Sequence, residues 1–243
     1  MTAKPWRKKR IIGNCTLYLA DAVELVPKLK PADHWLMDPP YEAAMHQAKD
    51  HAAARGLRID GGPEVKPLGF DGIDDLRPEL VRLAAENCSG WFLAFCSPEG
   101  IGHWADHINE SVMRYKRACF WHKPDSAPQF NGQGPAFAVE AFVAAWNGKG
   151  HARWNGGGKR NLWSVNTNAP DRDGRHTTEK PWRLMAELLQ DFTAKWQTVL
   201  DPVMGSGSTL VACQKLGRYG VGIEVDPDSF EIACERVWKA RYE

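Results

Sequence analysis

Asp38-Pro39-Pro40-Tyr41 sets a carboxylate, two residues without a backbone N–H and a phenol ring in four consecutive positions. Proline fixes φ and donates no hydrogen bond, so the carbonyls of this stretch act as rigid acceptors. A carboxylate, a fixed carbonyl and an aromatic face suit a planar amine, giving two acceptors for its NH2 group and a ring for its plane to stack on. Taken alone, the same residues also read as a turn closing an edge strand. A second constellation, Asp201-Pro-Val-Met-Gly-Ser-Gly-Ser-Thr209, has the pattern of a strand end, a Gly-rich turn and a helix start. Gly205 and Gly207 let backbone pass close to a ligand, and the helix N-terminus beyond them favours negative charge. No Lys precedes Ser208 or Thr209, so this is not a Walker loop, and the full GxGxxG spacing is absent. Glu224 ends the next apolar run, where an acid commonly takes a pair of ribose hydroxyls. Strand, GSG turn, helix, strand and acid together describe a nucleoside-cofactor site.

These groups need a scaffold that gathers them. Four acids stand directly after short apolar runs: Asp21 after LYLA, Asp38 after HWLM, Asp201 after QTVL and Glu224 after GVGI. In a doubly wound α/β sheet, ligands bind just beyond the carboxyl ends of parallel strands, so such acids would line one edge. A single acid in that position often does no more than cap the following helix. Strands are expected at Leu17–Ala20, His34–Met37, Trp91–Cys96, Arg117–Trp121, Ala141–Trp146, Gln197–Leu200 and Gly220–Ile223, all short and apolar. Helices are expected over 76–87, 101–109, 181–195, 208–216 and 227–241. In the third, Leu184, Leu188 and Phe192 form one stripe. Pro181 and Pro227 suit first helical turns, and Gly217 suits a helix end. The alternation of strand and helix predicts a mostly parallel sheet with helices on both faces. Residues 42–73 and 147–175 break the rhythm and read as loops over the site within one domain spanning 1–243.

Composition narrows the class. With 43% apolar and 25% charged residues, the chain is neither collagenous nor a disordered tail. No apolar run approaches the roughly 20 residues that cross a bilayer, and the basic start lacks a secretory apolar region, so a cytoplasmic protein without a membrane partner is expected. The six cysteines form no CxxC pair, and His103 and His107 lack a third ligand, so no metal is expected. Thirty-one basic residues face 30 acidic ones, which alone predicts no polyanion partner. The basic residues are nevertheless clustered, at 1–10, 114–123 and 148–183, and such stripes can be a nucleic-acid footprint or plain solvated surface.

DPPY at 38–41, DPVMGSGST at 201–209 and GIEVDPD at 222–228 resemble the motifs of the S-adenosylmethionine-dependent amino-methyltransferases of DNA. His176-Thr-Thr-Glu-Lys-Pro181 looks like the HPTQKP segment of that family, and the catalytic motif preceding the cofactor motif is the permuted order of its β class. The resemblance covers most of the chain, including the lead-in to Asp21 and Trp121-His-Lys-Pro124. It departs from the pattern at Val203, where an aromatic is usual, and at Thr177, where proline is. It implies a Rossmann-like methyltransferase fold with a catalytic half over about 1–147, a short recognition segment over about 148–175 and a cofactor half over about 176–243.

On this resemblance, Asp38 and the Pro39 carbonyl accept the two hydrogens of an exocyclic base amine, Pro40 stiffens the turn, and Tyr41 stacks on a base extruded from double-stranded DNA. Asp201, Gly205, Ser206, Gly207, Ser208 and Thr209 hold the methionine part of S-adenosylmethionine, with Thr178 and Lys180 near its carboxylate and Asp38 beside its methyl. Glu224 takes the ribose and Asp21 sits by the adenine. Lys123, Arg153, Lys159 and Arg160 are the candidates for phosphate contacts, which position rather than specify. Trp154 or Trp163 would fill the gap of the flipped base or simply pack in the core. DPPY leans to the N6 amine of adenine, while SPPY is commoner in N4-cytosine enzymes. RNA or protein amino-methylation through NPPY-type motifs, and a binding module without catalysis, are the other readings. The short recognition segment argues against a long recognised site. Homodimers are frequent in the β class, so the resemblance implies a homodimer as a partner, in a restriction-modification pair or as an orphan enzyme.

Overall fold

The computed structural model describes residues 4–40, 73–128, 134–167 and 179–242. Nine strands form one sheet: β1 (Lys8–Ile12), β2 (Cys15–Leu19), β3 (His34–Met37), β4 (Trp91–Cys96), β5 (Arg114–His122), β6 (Val139–Trp146), β7 (Leu162–Ser164), β8 (Thr198–Asp201) and β9 (Tyr219–Glu224). Their spatial order is β1-β2-β9-β8-β3-β4-β6-β5-β7. All run parallel except β1 and β6, which are antiparallel to their neighbours. The mixed, mostly parallel sheet is the expected one.

Helices cover both faces. α1 (Ala22–Leu25), α2 (Ile73–Asn87) and α3 (Ile101–Glu110) pack on one, and α4 (Trp182–Phe192), α5 (Ser208–Leu216) and α6 (Pro227–Lys239) on the other. A strand buried on both sides alternates its side chains between two cores, which is why it reads as an unbroken apolar run. β4 does this: Trp91, Leu93 and Phe95 face the α4–α6 layer, and Phe92, Ala94 and Cys96 face the α1–α3 layer. Leu184, Leu188 and Phe192 bury the expected stripe of α4. Asp226 caps α6 by accepting from the Ser229 N–H at 2.8 Å, with Pro227 in the first turn, while Pro181 stands just before α4 as its cap residue.

Three elements depart from expectation. β1 was not anticipated, because Lys8-Lys9-Arg10 reads as a solvated charge run; as an edge strand it leaves four of its five residues exposed. α1 is a single turn started by Asp21. β7 lies inside the Gly/Asn-rich stretch 147–175, and only its central Trp163 is buried. The stretch before β7 does not lie over the site. Arg114, at the start of β5, donates to the carbonyls of Gly148 and Gly150 at 2.7 Å each. Asn155 Nδ2 donates to the carbonyls of Gln190 and Thr193 at the end of α4. Both anchors are at the amino-terminal edge of the parallel strands, opposite the edge where the four acids stand. Residues 42–72 lie outside the described residues.

Candidate active site

The sheet order explains how the acids meet. β2, β9, β8 and β3 are consecutive neighbours, so Asp21, Glu224, Asp201 and Asp38 emerge side by side from one edge, one per strand, at a spacing of about 4.8 Å between strands. Asp21 also fulfils the plainer role, since its Oδ1 accepts from the Val23 N–H at 2.7 Å and caps α1.

Glu224 and Asp201 frame the Gly-rich turn. Glu224 Oε2 accepts from the Gly205 N–H at 2.9 Å, and its Oε1 accepts from the N–H groups of Val225 and Asp226. Asp201 is 3% exposed. Burial pushes its carboxyl up to about 7, against hydrogen bonds from the Thr209 hydroxyl and the Val203 N–H, and the neighbouring charges of Asp38 and Glu224 push the same way. Burial also raises the Glu224 carboxyl. Gly205 and Gly207 both have positive φ, 49° and 82°, and a Cβ on Gly207 would stand 3.0 Å from that of Ala233. The turn therefore needs glycine for conformation at both positions and for close packing at the second.

Arg236 of α6 holds this turn from beneath. Its Nη1 donates to the Ser206 carbonyl at 2.6 Å and to Ser206 Oγ at 2.8 Å, and its Nη2 pairs with Glu179. Ser208 Oγ donates to the Lys180 carbonyl at 2.7 Å, so the turn and the segment entering α4 are tied together. Lys180 in turn reaches the start of the DPPY segment: its Nζ lies 2.7 Å from Asp38 Oδ2 and 3.0 Å from Glu140 Oε2. Glu140 also pairs with Lys123. Burial works against the Lys180 cation, but Asp38 and Glu140 outweigh it and lift its pKa above the ordinary lysine value.

The expected residues thus divide. Asp38, Pro39, Lys180, Asp201, Gly205 to Thr209 and Glu224 are brought to one edge. Tyr41 and Thr178 lie outside the described residues. Lys123 is near this edge, but it is engaged with Glu140 and stands 4.9 Å from the Trp121 ring centre. Arg153 and Lys159 are not brought to the site, and Arg160 stands two residues before β7. Lys159 is paired with Asp191 at 2.7 Å, and Trp91 donates to the Arg153 carbonyl, on the far side of the sheet. Trp163 is buried, donates to Asp191 at 2.8 Å and packs on Phe142, and Trp154 packs on Phe192 with ring centres 4.9 Å apart. Both tryptophans serve the core. Glu140, Glu179 and Arg236 were missed by sequence reasoning. For Glu140 in β6 and Arg236 in α6 the signal was a charged residue inside a buried periodic run, which requires a partner, whereas Glu179 stands in the segment before α4 and no periodicity marks it.

Carboxylates gathered beside backbone N–H groups at a helix start suit a ligand with both cationic and anionic ends. Residues 32–235 match the DNA methylase family. The chain belongs to that N6/N4 DNA methylase family. It is 24% identical to the Type II methyltransferase M2.LlaDCHI of Lactococcus lactis subsp. cremoris, over 98% of this chain and 94% of that one. It is 23% identical to M2.DpnII of Streptococcus pneumoniae, over 98% and 93%. Among solved structures it resembles M1.HpyAVI in its SAM complex, with a TM-score of 0.70, 25% identity and coverage of 92% of this chain and 98% of that one. The PvuII cytosine-N4-specific DNA methyltransferase shares the fold at a TM-score of 0.71 and 14% identity, over 95% of this chain and 89% of that one.

Proposed function

We propose that this DNA methylase transfers a methyl group from S-adenosylmethionine to the N6 amine of an adenine turned out of the duplex. The observation that carries this reading is the placement of Asp38, rigidly followed by two prolines, on the same edge as the Gly205–Thr209 turn and Glu224.

An exocyclic base amine is a poor nucleophile because its lone pair is delocalised into the ring. Asp38 and the Pro39 carbonyl would each accept one N–H, favouring a pyramidal nitrogen whose lone pair points at the methyl carbon. Tyr41 would stack on the base, which must leave the helix to be reached. The cofactor supplies a methyl carbon on a positively charged sulfur that departs as a neutral thioether. As the new N–C bond forms, the nitrogen gives up one proton on the Asp38 side. Asp201 and Glu224 would hold the cofactor, their carboxylates favouring its positive charge, and the Glu224 carboxylate would keep lone pairs for ribose hydroxyls. Holding the two reactants in line carries much of the catalysis.

Methylome sequencing of DNA from cells expressing the protein tests the base directly. N6-methyladenine at one recurring sequence is the expected result. N4-methylcytosine instead would replace adenine by cytosine while leaving the same donor and site, an outcome compatible with the cytosine-specific relative in fold.

A further inference from the structure

Asp38, Lys180, Glu140 and Lys123 form a chain of alternating charge at the active edge, and Glu140 has no part in the reaction as described so far. Strand alternation explains their meeting. Glu140 opposes Trp121 in the β5–β6 ladder, and Lys123 continues β5 past its end with its N–H on the Ala138 carbonyl, so both side chains fall on the α4 face. Lys180 enters from the segment before α4 and lies 5.2 Å above the Phe95 ring centre. The side chains of Lys180, Glu140 and Lys123 are between 10% and 12% exposed, and that of Asp38 27%. In such a setting charges act on one another more strongly than in water.

Lys180 alone would present Asp38 with a complete counter-ion. A carboxylate fully paired with a lysine is a weaker acceptor for the hydrogens of a neutral amine, since its lone pairs already face a cation. Glu140 competes for the same ammonium, at 3.0 Å against 2.7 Å, and Lys123 neutralises Glu140 from its other oxygen. We propose that Glu140 is a positioning residue for methyl transfer: by sharing Lys180 it fixes the Asp38 carboxylate without spending its acceptor strength. This rests on the reading of Asp38 as the acceptor of the amine hydrogens. Among the described residues, Asp201 at the end of β8 also faces Asp38, and Asp201 in turn feels Glu224 at the end of β9.

The test is a single-turnover measurement with enzyme in excess over unmethylated genomic DNA and with saturating radiolabelled S-adenosylmethionine, alongside cofactor titration and thermal melting. Glu140→Gln keeps the volume and the hydrogen bonds but removes the charge, while Glu140→Asp keeps the charge and shortens the reach. If the charge matters, the Gln variant slows transfer about tenfold or more and the Asp variant recovers most of the rate, both with cofactor affinity close to wild type. A packing role gives the reverse order. That order, a wild-type rate in the Gln variant, or a loss of cofactor affinity parallel to the loss of rate would overturn the proposal. Should Glu140→Gln fold poorly, the charge-balanced Glu140→Gln/Lys123→Met variant carries the same expectation, because Lys180 is again left to Asp38, and a wild-type rate there would equally overturn it. Asp38→Asn is run beside them: near-normal transfer in that variant refutes the acceptor reading itself, whatever Glu140 does.

Discussion

Asp201 is the residue whose chemistry depends most on what surrounds it. Burial, with Asp38 and Glu224 nearby, pushes its carboxyl up to about 7. An acid whose midpoint is raised on folding holds its proton more tightly in the folded chain. Its contribution to stability is therefore greatest below the ordinary carboxylate range and declines as the pH climbs to about 7. A ligand carrying positive charge reverses the preference, because it favours the ionised carboxylate. Cofactor affinity should accordingly rise as the pH increases from about 6 to about 7.5, with net proton release on binding. Titration calorimetry in two buffers of different ionisation enthalpy measures both. Asp201→Asn should bind more weakly and flatten the pH dependence, whereas a wild-type affinity that ignores pH over this range would exclude Asp201 as the titrating group.

At the scale of elements, α6 does more than cover the sheet. Arg236 supports Ser206 of the turn and pairs with Glu179, and both partners are buried. Removing one member of a buried ion pair leaves the other uncompensated, at a cost of about 3–5 kcal/mol. Arg236→Ala should lower stability by about that amount and weaken cofactor binding as the turn loses its support, both measurable by urea denaturation and titration of the folded fraction. Unchanged cofactor affinity would show that the turn holds its shape without α6. The elements most legible in the sequence were those buried on both faces: His34–Met37 and Trp91–Cys96 coincide with their predicted spans, since a fully covered strand has no polar residues to blur its ends. β1 and β7 were illegible because edge strands carry polar side chains and borrow their regularity from a neighbour. The acids at strand ends could be read for the same reason as the strands. The Lys180–Glu140 pair could not, because it depends on β6 entering antiparallel between β4 and β5, a pairing that no local pattern encodes.

For the molecule as a whole, the sheet has a working edge and a remote one. β4, six residues long, separates them by about 20 Å at the usual rise of a strand. On the proposed reading of Asp38, a duplex that offers it a base would lie against the working edge, while Arg153 and Lys159 belong to the stretch held at the remote one. Changing Arg153 and Lys159 together to Ala should therefore leave the salt dependence of DNA binding unaltered, where each lost phosphate contact would reduce the log–log slope by about 0.9. Binding across a salt series settles the matter, and a slope reduced by about one or more would place DNA on the remote edge as well. Lys159→Ala should instead show itself in thermal melting, through loss of its bond to Asp191.

The sheet order also sets a timetable. β2 lies beside β9, with Cys15 opposite Gly220, and β3 lies beside β8, with His34 opposite Val199. During synthesis β2 and β3 are made early, yet β9 and β8, the two strands that stand between them in the finished sheet, are made last. Pairings so distant in sequence form slowly, and until they form the open strand borders are free to pair with other chains. A nascent chain thus carries the DPPY motif long before it can hold a cofactor, and methylation of DNA begins only when β8, β9 and α6 have closed the sheet.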